Sequence, residues 1–296
     1  MTDKYQYGAS VKSDYSDEWV NTYVLRPIAG VLVRILYRTP ITPNQVTIAA
    51  IIAGFVAAVL FFLGGATAIA LAGIAMTTKD LLDSADGQLA RSKNLYSRRG
   101  RFLDSLGDVA VDAAVFSAIG WALARGTGTF LPFPVALLGF AGITLRVSYH
   151  VFYQTSYLHL DRGYEKNRII EDITTEDKLG DPVALRLQRL FMVIYGWQDR
   201  LMQRVDEWCR GKTLSEELRH RWYGDQTGLR ISGLLGFGTE LLLLTVCSLL
   251  NELWLYLLLN LFLMNGILCC SVFYRRVILR RRLISSDGIS EAGDSV

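Results

Sequence analysis

Of the 296 residues, 51% are apolar and 20% charged, and the apolar ones cluster into long runs. A net charge of +3 is too small to favour nucleic acid, and the four cysteines, Cys209, Cys247, Cys269 and Cys270, lack metal-ligand or redox spacing and read as packing residues. Runs of about 18 apolar residues cover roughly 30 Å of hydrocarbon at about 1.5 Å per helical residue, so an ordinary soluble domain is excluded and an all-α membrane protein is expected.

The first 20 residues are polar and contain no apolar signal core, so insertion is expected to rely on the later spans. Residues 19–37 mix apolar side chains with Arg26 and Arg34 and stop at Thr39 and Pro40. That pattern suits a helix lying in the membrane interface, and equally an amphipathic cytosolic helix. Six transmembrane helices follow, over residues 46–63, 66–82, 109–124, 130–149, 231–250 and 253–273. The second and third reach full length only with the segments around Asp83 and Asp104 included, which sets those carboxylates at or inside the membrane boundary. Residues 159–228, between spans four and five, mix both charge signs with aromatics and hold no apolar block, as a cytoplasmic helical insertion would. Leu187, Leu190, Phe191 and Ile194 recur there at helical spacing, and Trp197, Trp208 and Trp222 read as interfacial anchors or as core.

The expected division is an N-terminal segment with the interfacial helix (1–40), spans one to four (41–158), the insertion (159–228), spans five and six (229–275) and a basic tail (276–296). Lys and Arg gather on one side: Arg34 and Arg38, then Arg91, Lys93, Arg98, Arg99 and Arg101, then Arg275, Arg276 and Arg280 to Arg282. The opposite loops carry almost no charge, so both termini and the carboxylates are assigned to the cytoplasmic side. The last basic run also suits anionic headgroups.

Asp83 and Asp86 are spaced i, i+3, and Asp104 and Asp108 i, i+4, so each pair shares a helical face. Antiparallel packing of the second and third spans lets all four converge. Four negative charges at a membrane boundary need a cation, and all-oxygen ligation selects Mg²⁺ or Mn²⁺, one ion or two. Gly87 and Ala90 clear the face around Asp86, and Arg91 offers a guanidinium fork to phosphate oxygens.

The eight fixed positions Asp83, Asp86, Gly87, Ala90, Arg91, Gly100, Asp104 and Asp108, at these spacings, resemble the signature of the CDP-alcohol phosphotransferase family, and Pro43-Asn44-x-x-Thr47 resembles a second element of its nucleotide pocket. The resemblance implies transfer of a phosphoalcohol group from a CDP-linked donor, such as CDP-diacylglycerol, to a small acceptor alcohol with release of CMP. It implies that Asp83, Asp86, Asp104 and Asp108 hold two metal ions and that Asp108 is also the general base. Asn44, Thr47, Gly87, Ala90, Arg91 and Gly100 would contact the nucleotide, and the protein would be a homodimer and a multi-pass integral membrane protein, in the cell membrane if its source is bacterial or archaeal. The insertion has no counterpart in this resemblance.

The alternatives are a transferase moving a CDP-aminoalcohol onto diacylglycerol and, in another class, a cation or proton transporter. The latter expects broken helices in paired halves, for which the sequence gives no sign. Asp80 reads as a local ion pair with Lys79, and Asp112 is an intramembrane acid without a role. Arg146, His150 and Arg230 suit either an acceptor's phosphate or carboxylate or simple charge anchoring.

Overall fold

The computed structural model describes residues 18–160, 171–211 and 215–283, and every regular element among them is helical. The polar stretch before residue 18, part of the insertion and the tail beyond 283 lie outside the described residues. A π-helical turn, Asn21–Leu25, runs into α1, Arg26–Leu36. Then come α2 (Pro43–Leu63), α3 (Ala66–Lys93), α4 (Arg98–Thr127) and α5 (Pro132–Leu158). The insertion contributes α6 (Thr175–Leu179), α7 (Pro182–Arg210) and α8 (Glu216–Tyr223). The last elements are α9 (Gln226–Gly233), α10 (Phe237–Leu249), α11 (Leu253–Leu258) and α12 (Asn265–Phe273), with π-helical stretches Leu259–Met264 and Tyr274–Leu279 continuing the final helix.

Five helical stretches are long and apolar enough to cross a membrane: Pro43–Leu63, Arg98–Thr127, Pro132–Leu158, Gln226–Leu249 and Leu253–Leu283. The remaining expected span corresponds to α3, which is 28 residues long but carries Lys79, Asp80, Asp83 and Asp86 in its middle. Residues 276–283, the first part of the expected basic tail, continue the final helix.

Local chemistry fixes how these helices start and turn. α2 begins on Pro43, whose missing N–H costs nothing there, and the Gln45 side chain accepts the Thr42 N–H at 2.8 Å. It ends on Gly64 and Gly65, both at positive φ, a turn that reverses the chain into α3. α4 opens with the Ser97 hydroxyl accepting the Gly100 N–H at 2.8 Å. Phe61, Met76, Ile119 and Tyr256, all fully buried, pack α2, α3, α4 and α11 around one core.

The fifth span departs from expectation, because residues 231–250 are not one helix. The chain turns over residues 234–236, and Glu18 explains the turn: its carboxylate accepts the Gly238 N–H at 2.6 Å at the start of α10. A side chain at Gly236 would fall on Glu18. This break has no counterpart in another span among the described residues.

α7 lies across the bundle as a strap. Its Phe191 meets Phe102, the Tyr195 hydroxyl donates to the Ser105 carbonyl at 2.9 Å, and Gln198 accepts from Ser148 at 2.5 Å. Further along, buried Asp206 accepts from Tyr153 at 3.0 Å and from Trp222 at 2.9 Å, and Cys209 packs with Tyr274 and Leu279. Trp222 is therefore core, whereas Trp197 and Trp208 are exposed. Cys269 and Cys270 are likewise exposed, not packing residues.

Candidate active site

α3 and α4 both pack against α2 and do not pack closely on each other, as direct antiparallel packing would require; across the gap between them, one carboxylate oxygen each of Asp83, Asp104 and Asp108 lies within 4.8 Å of the others. All three are half-buried. Asp86, expected in the same gathering, accepts a hydrogen bond from the Thr47 hydroxyl on α2. The weaker sequence element and the stronger one are thus in direct contact.

The close approach depends on glycines. A Cβ on Gly100 would stand 2.5 Å from the Asn44 side-chain oxygen and 2.9 Å from Ser97 Oγ, so the start of α4 sits against the start of α2 only because residue 100 has no side chain. Gly87 differs. A Cβ there would meet only the Arg91 guanidinium, nearest at 3.5 Å, an ordinary contact. Ala90 and Arg91, one turn on, are half-buried.

The structure corrects the expectation of a local Lys79–Asp80 pair: Lys79 forms its ion pair with Asp108. Residues i and i+1 point about 100° apart on a helix, so Lys79 faces α4 while Asp80 does not. The lysine is 1% exposed, lies 5.2 Å from the Phe237 ring and brings a positive charge to the carboxylates from inside the bundle. Asp112, one turn beyond Asp108, is also buried. Arg146 and His150 are both buried. Arg146 is committed to the protein: it pairs with Glu240 at 3.1 Å and donates to Asn265 at 2.8 Å and to the Asn260 carbonyl at 3.1 Å. It is not presented to an acceptor. Arg230 is exposed.

The insertion meets the site through charge. Arg98 pairs with Glu171 at 2.7 Å and with Asp177, Arg101 with Glu171 at 2.5 Å, and Arg99 with Asp181 at 2.7 Å. Gln188 donates to Glu171 at 3.0 Å and to Asp177 at 3.1 Å. The Val183 N–H holds the exposed Asp181 carboxyl below its ordinary range, with Arg99 adding to it, whereas burial pushes the Tyr195 hydroxyl up. Between these groups lies a cavity of about 610 Å³, lined among others by Asn44, Arg98, Phe102, Asp177 and Gln188. Nothing in the order of residues 98–101 reveals the acids they meet, because those acids follow some 70 to 80 positions later.

The model of the CDP-alcohol phosphatidyltransferase family matches residues 40–203, more than half of the chain. The chain belongs to this family. The matched range runs from the start of α2 through the carboxylates and on into α7, so the family's pattern continues into the insertion. Among curated relatives, an "Archaetidylinositol phosphate synthase" from Pyrococcus horikoshii is 39% identical over 92 residues, 31% of this chain and 47% of the relative. A "Phosphatidylinositol phosphate synthase" from Mycobacteroides abscessus is 34% identical over 102 residues, 34% of this chain and 46% of the relative. A "Bifunctional IPC transferase and DIPP synthase" from Thermococcus kodakarensis is 29% identical over 123 residues, 42% of this chain and 27% of the relative. The chain thus spans less than half the length of the relatives it matches.

Proposed function

We propose that this protein transfers a phosphoalcohol group, phosphatidyl in the leading case, from a CDP-linked donor such as CDP-diacylglycerol to the hydroxyl of a small acceptor, releasing CMP. The observation that carries this reading is the meeting of Asp83, Asp104 and Asp108 across α3 and α4, inside the family's eight-position signature. The donor set fits a hard divalent cation: every candidate ligand is a carboxylate oxygen, and three from two helices already lie within reach of one ion. Asp83, Asp86, Asp104 and Asp108 would hold Mg²⁺ or Mn²⁺, one ion or two, with Asp86 turning from Thr47 to take part. Bound there, the ions neutralise charge on the donor's diphosphate.

The chain's own groups divide the remaining work. Asp108 receives the proton of the attacking hydroxyl, and Lys79 holds its carboxylate toward the shared site. Arg91 donates to phosphate oxygens. Asn44, Thr47, Gly87, Ala90 and Gly100 form the nucleotide's surroundings, Gly87 by leaving its face of α3 open. The names of two relatives favour an inositol phosphate as acceptor.

The reading extends to topology: six spans with α3 as the second, the carboxylates and both termini on the cytoplasmic side, a homodimeric assembly, and α1 lying in the interface. Exposure of Ile28, Val31 and Ile35 along one side of α1 supports that last assignment.

The test is purified protein in lipid with CDP-diacylglycerol, Mg²⁺ and a panel of alcohols led by inositol phosphate, read as CMP release and product mass. The expected result is metal-dependent CMP release with a phosphatidyl product, abolished by chelation. Release only with a CDP-aminoalcohol and diacylglycerol would favour the alternative donor, and no release with any pair would refute the reaction.

A further inference from the structure

α7 is 29 residues long, roughly 44 Å at 1.5 Å per residue, and only one of its faces is occupied by protein. On the other face Leu190, Val193, Trp197 and Trp208 are 49%, 75%, 49% and 55% exposed, and Arg186, Arg189, Arg200 and Arg204 are exposed beside them. At about 3.6 residues per turn these eight positions fall within about 100° of arc, with Leu190, Trp197 and Trp208 toward one flank, Arg189 and Arg200 toward the other, and Val193, Arg186 and Arg204 between them. None of the four arginines forms an ion pair among the described residues, and the acid on this stripe, Glu207, stands near its end. The Arg276 guanidinium lies 3.6 Å over the Trp208 ring, so the stripe joins the end of the last helix.

We propose that this face of α7 is a binding surface for anionic lipid headgroups, with Leu190, Val193, Trp197 and Trp208 in the acyl boundary and the four arginines on phosphates. An apolar flank grading into a cationic flank along one helix matches the boundary between acyl chains and headgroups, where tryptophan rings sit half apolar and half wet and guanidinium forks meet phosphate oxygens. A second copy of the chain fits worse. Two-fold pairing through this face would bring equal rows of arginines together. The inference rests on the membrane-embedded reading of the chain and not on the reaction.

The test uses the whole protein in lipid nanodiscs, with and without phosphatidylglycerol. A nitroxide on Val193→Cys, in a Cys269→Ser/Cys270→Ser background, is compared with one on Glu217→Cys, an exposed position of α8. The expected result is higher oxygen contact and lower access to a water-soluble nickel chelate at 193 than at 217. Arg200→Gln/Arg204→Gln should raise nickel access in the anionic discs. Lipids brominated near the headgroup should quench native fluorescence, and Trp197→Phe should lose part of that quenching. Nickel access at 193 equal to that at 217 in both lipids, with no Trp197-dependent quenching, would overturn the proposal. Dipolar broadening between labels of two protomers would overturn it in favour of a second copy.

Discussion

Gly87→Ala separates what the fold needs from what the ligand needs. The added Cβ meets no backbone and no rigid side chain; its nearest neighbour is the mobile Arg91 guanidinium at 3.5 Å. Within a helix, exchanging glycine for alanine contributes about 0.5–1 kcal/mol of stability. The folded protein should therefore melt slightly higher than wild type. If the open face at Gly87 is where the donor's diphosphate lies, the same methyl overpacks the complex, at about 1–3 kcal/mol, or about fivefold to over a hundredfold in kcat/KM at about 1.4 kcal/mol per tenfold. Initial rates of CMP release against donor concentration, with melting in the same detergent, give both numbers. A variant that melts higher and turns over with unchanged kcat/KM would refute the role of Gly87. Gly100→Ala is the contrast. Its Cβ would stand 2.5 Å from Asn44, so stability and donor affinity should fall together.

Lys79→Met should tighten Mn²⁺ binding about tenfold, because a cation no longer competes for Asp108, while slowing CMP release; calorimetric titration yielding unchanged or weaker Mn²⁺ binding would contradict the pairing. Glu240→Leu strands Arg146, Tyr256 and Asn260 and should cost about 3–5 kcal/mol, partly recovered in Arg146→Leu/Glu240→Leu; a loss under about 1 kcal/mol in denaturant melts would show that the buried pair is not coupled. Asp199, on α7, is pushed by burial from 3.8 to about 6, with Glu171 adding to it. Its folded state binds the proton more tightly than its unfolded state, so this group favours folding below about pH 4 and loses that contribution as pH rises to about 6. Asp199→Asn should flatten that part of the melting-temperature profile, and an identical slope in both proteins would exclude Asp199 as its source.

The carboxylates were legible because their information is local: i, i+3 and i, i+4 spacing fixes a shared face, and two such faces held opposite each other on α2 leave little freedom. Lys79 was misread because adjacency in sequence looks like adjacency in space, whereas a helix sends consecutive residues in different directions. Arg98, Arg99 and Arg101 were legible as a cationic cluster but not as partners of Glu171, Asp177 and Asp181, since charge patterning fixes sidedness and not pairing. The break in the fifth span was invisible because residues 231–250 are apolar on both sides of it. The carboxylate that occupies the turn comes from Glu18, and no periodicity records such a distant contact.

That contact bears on how the protein is made. Glu18 and Gly238 are 220 positions apart, so α10 cannot receive its cap until most of the chain has left the ribosome. The earlier helices can insert and pair with near neighbours in order of synthesis, while the stretch beside α1 waits. Closing so long a loop is entropically costly, and its return includes the Gly238–Glu18 hydrogen bond and the seating of Glu18 against Gly236. The segment preceding α1 is thus expected to be the last to lock, and a fusion placed on that side would disturb the fifth span before it reached the carboxylates.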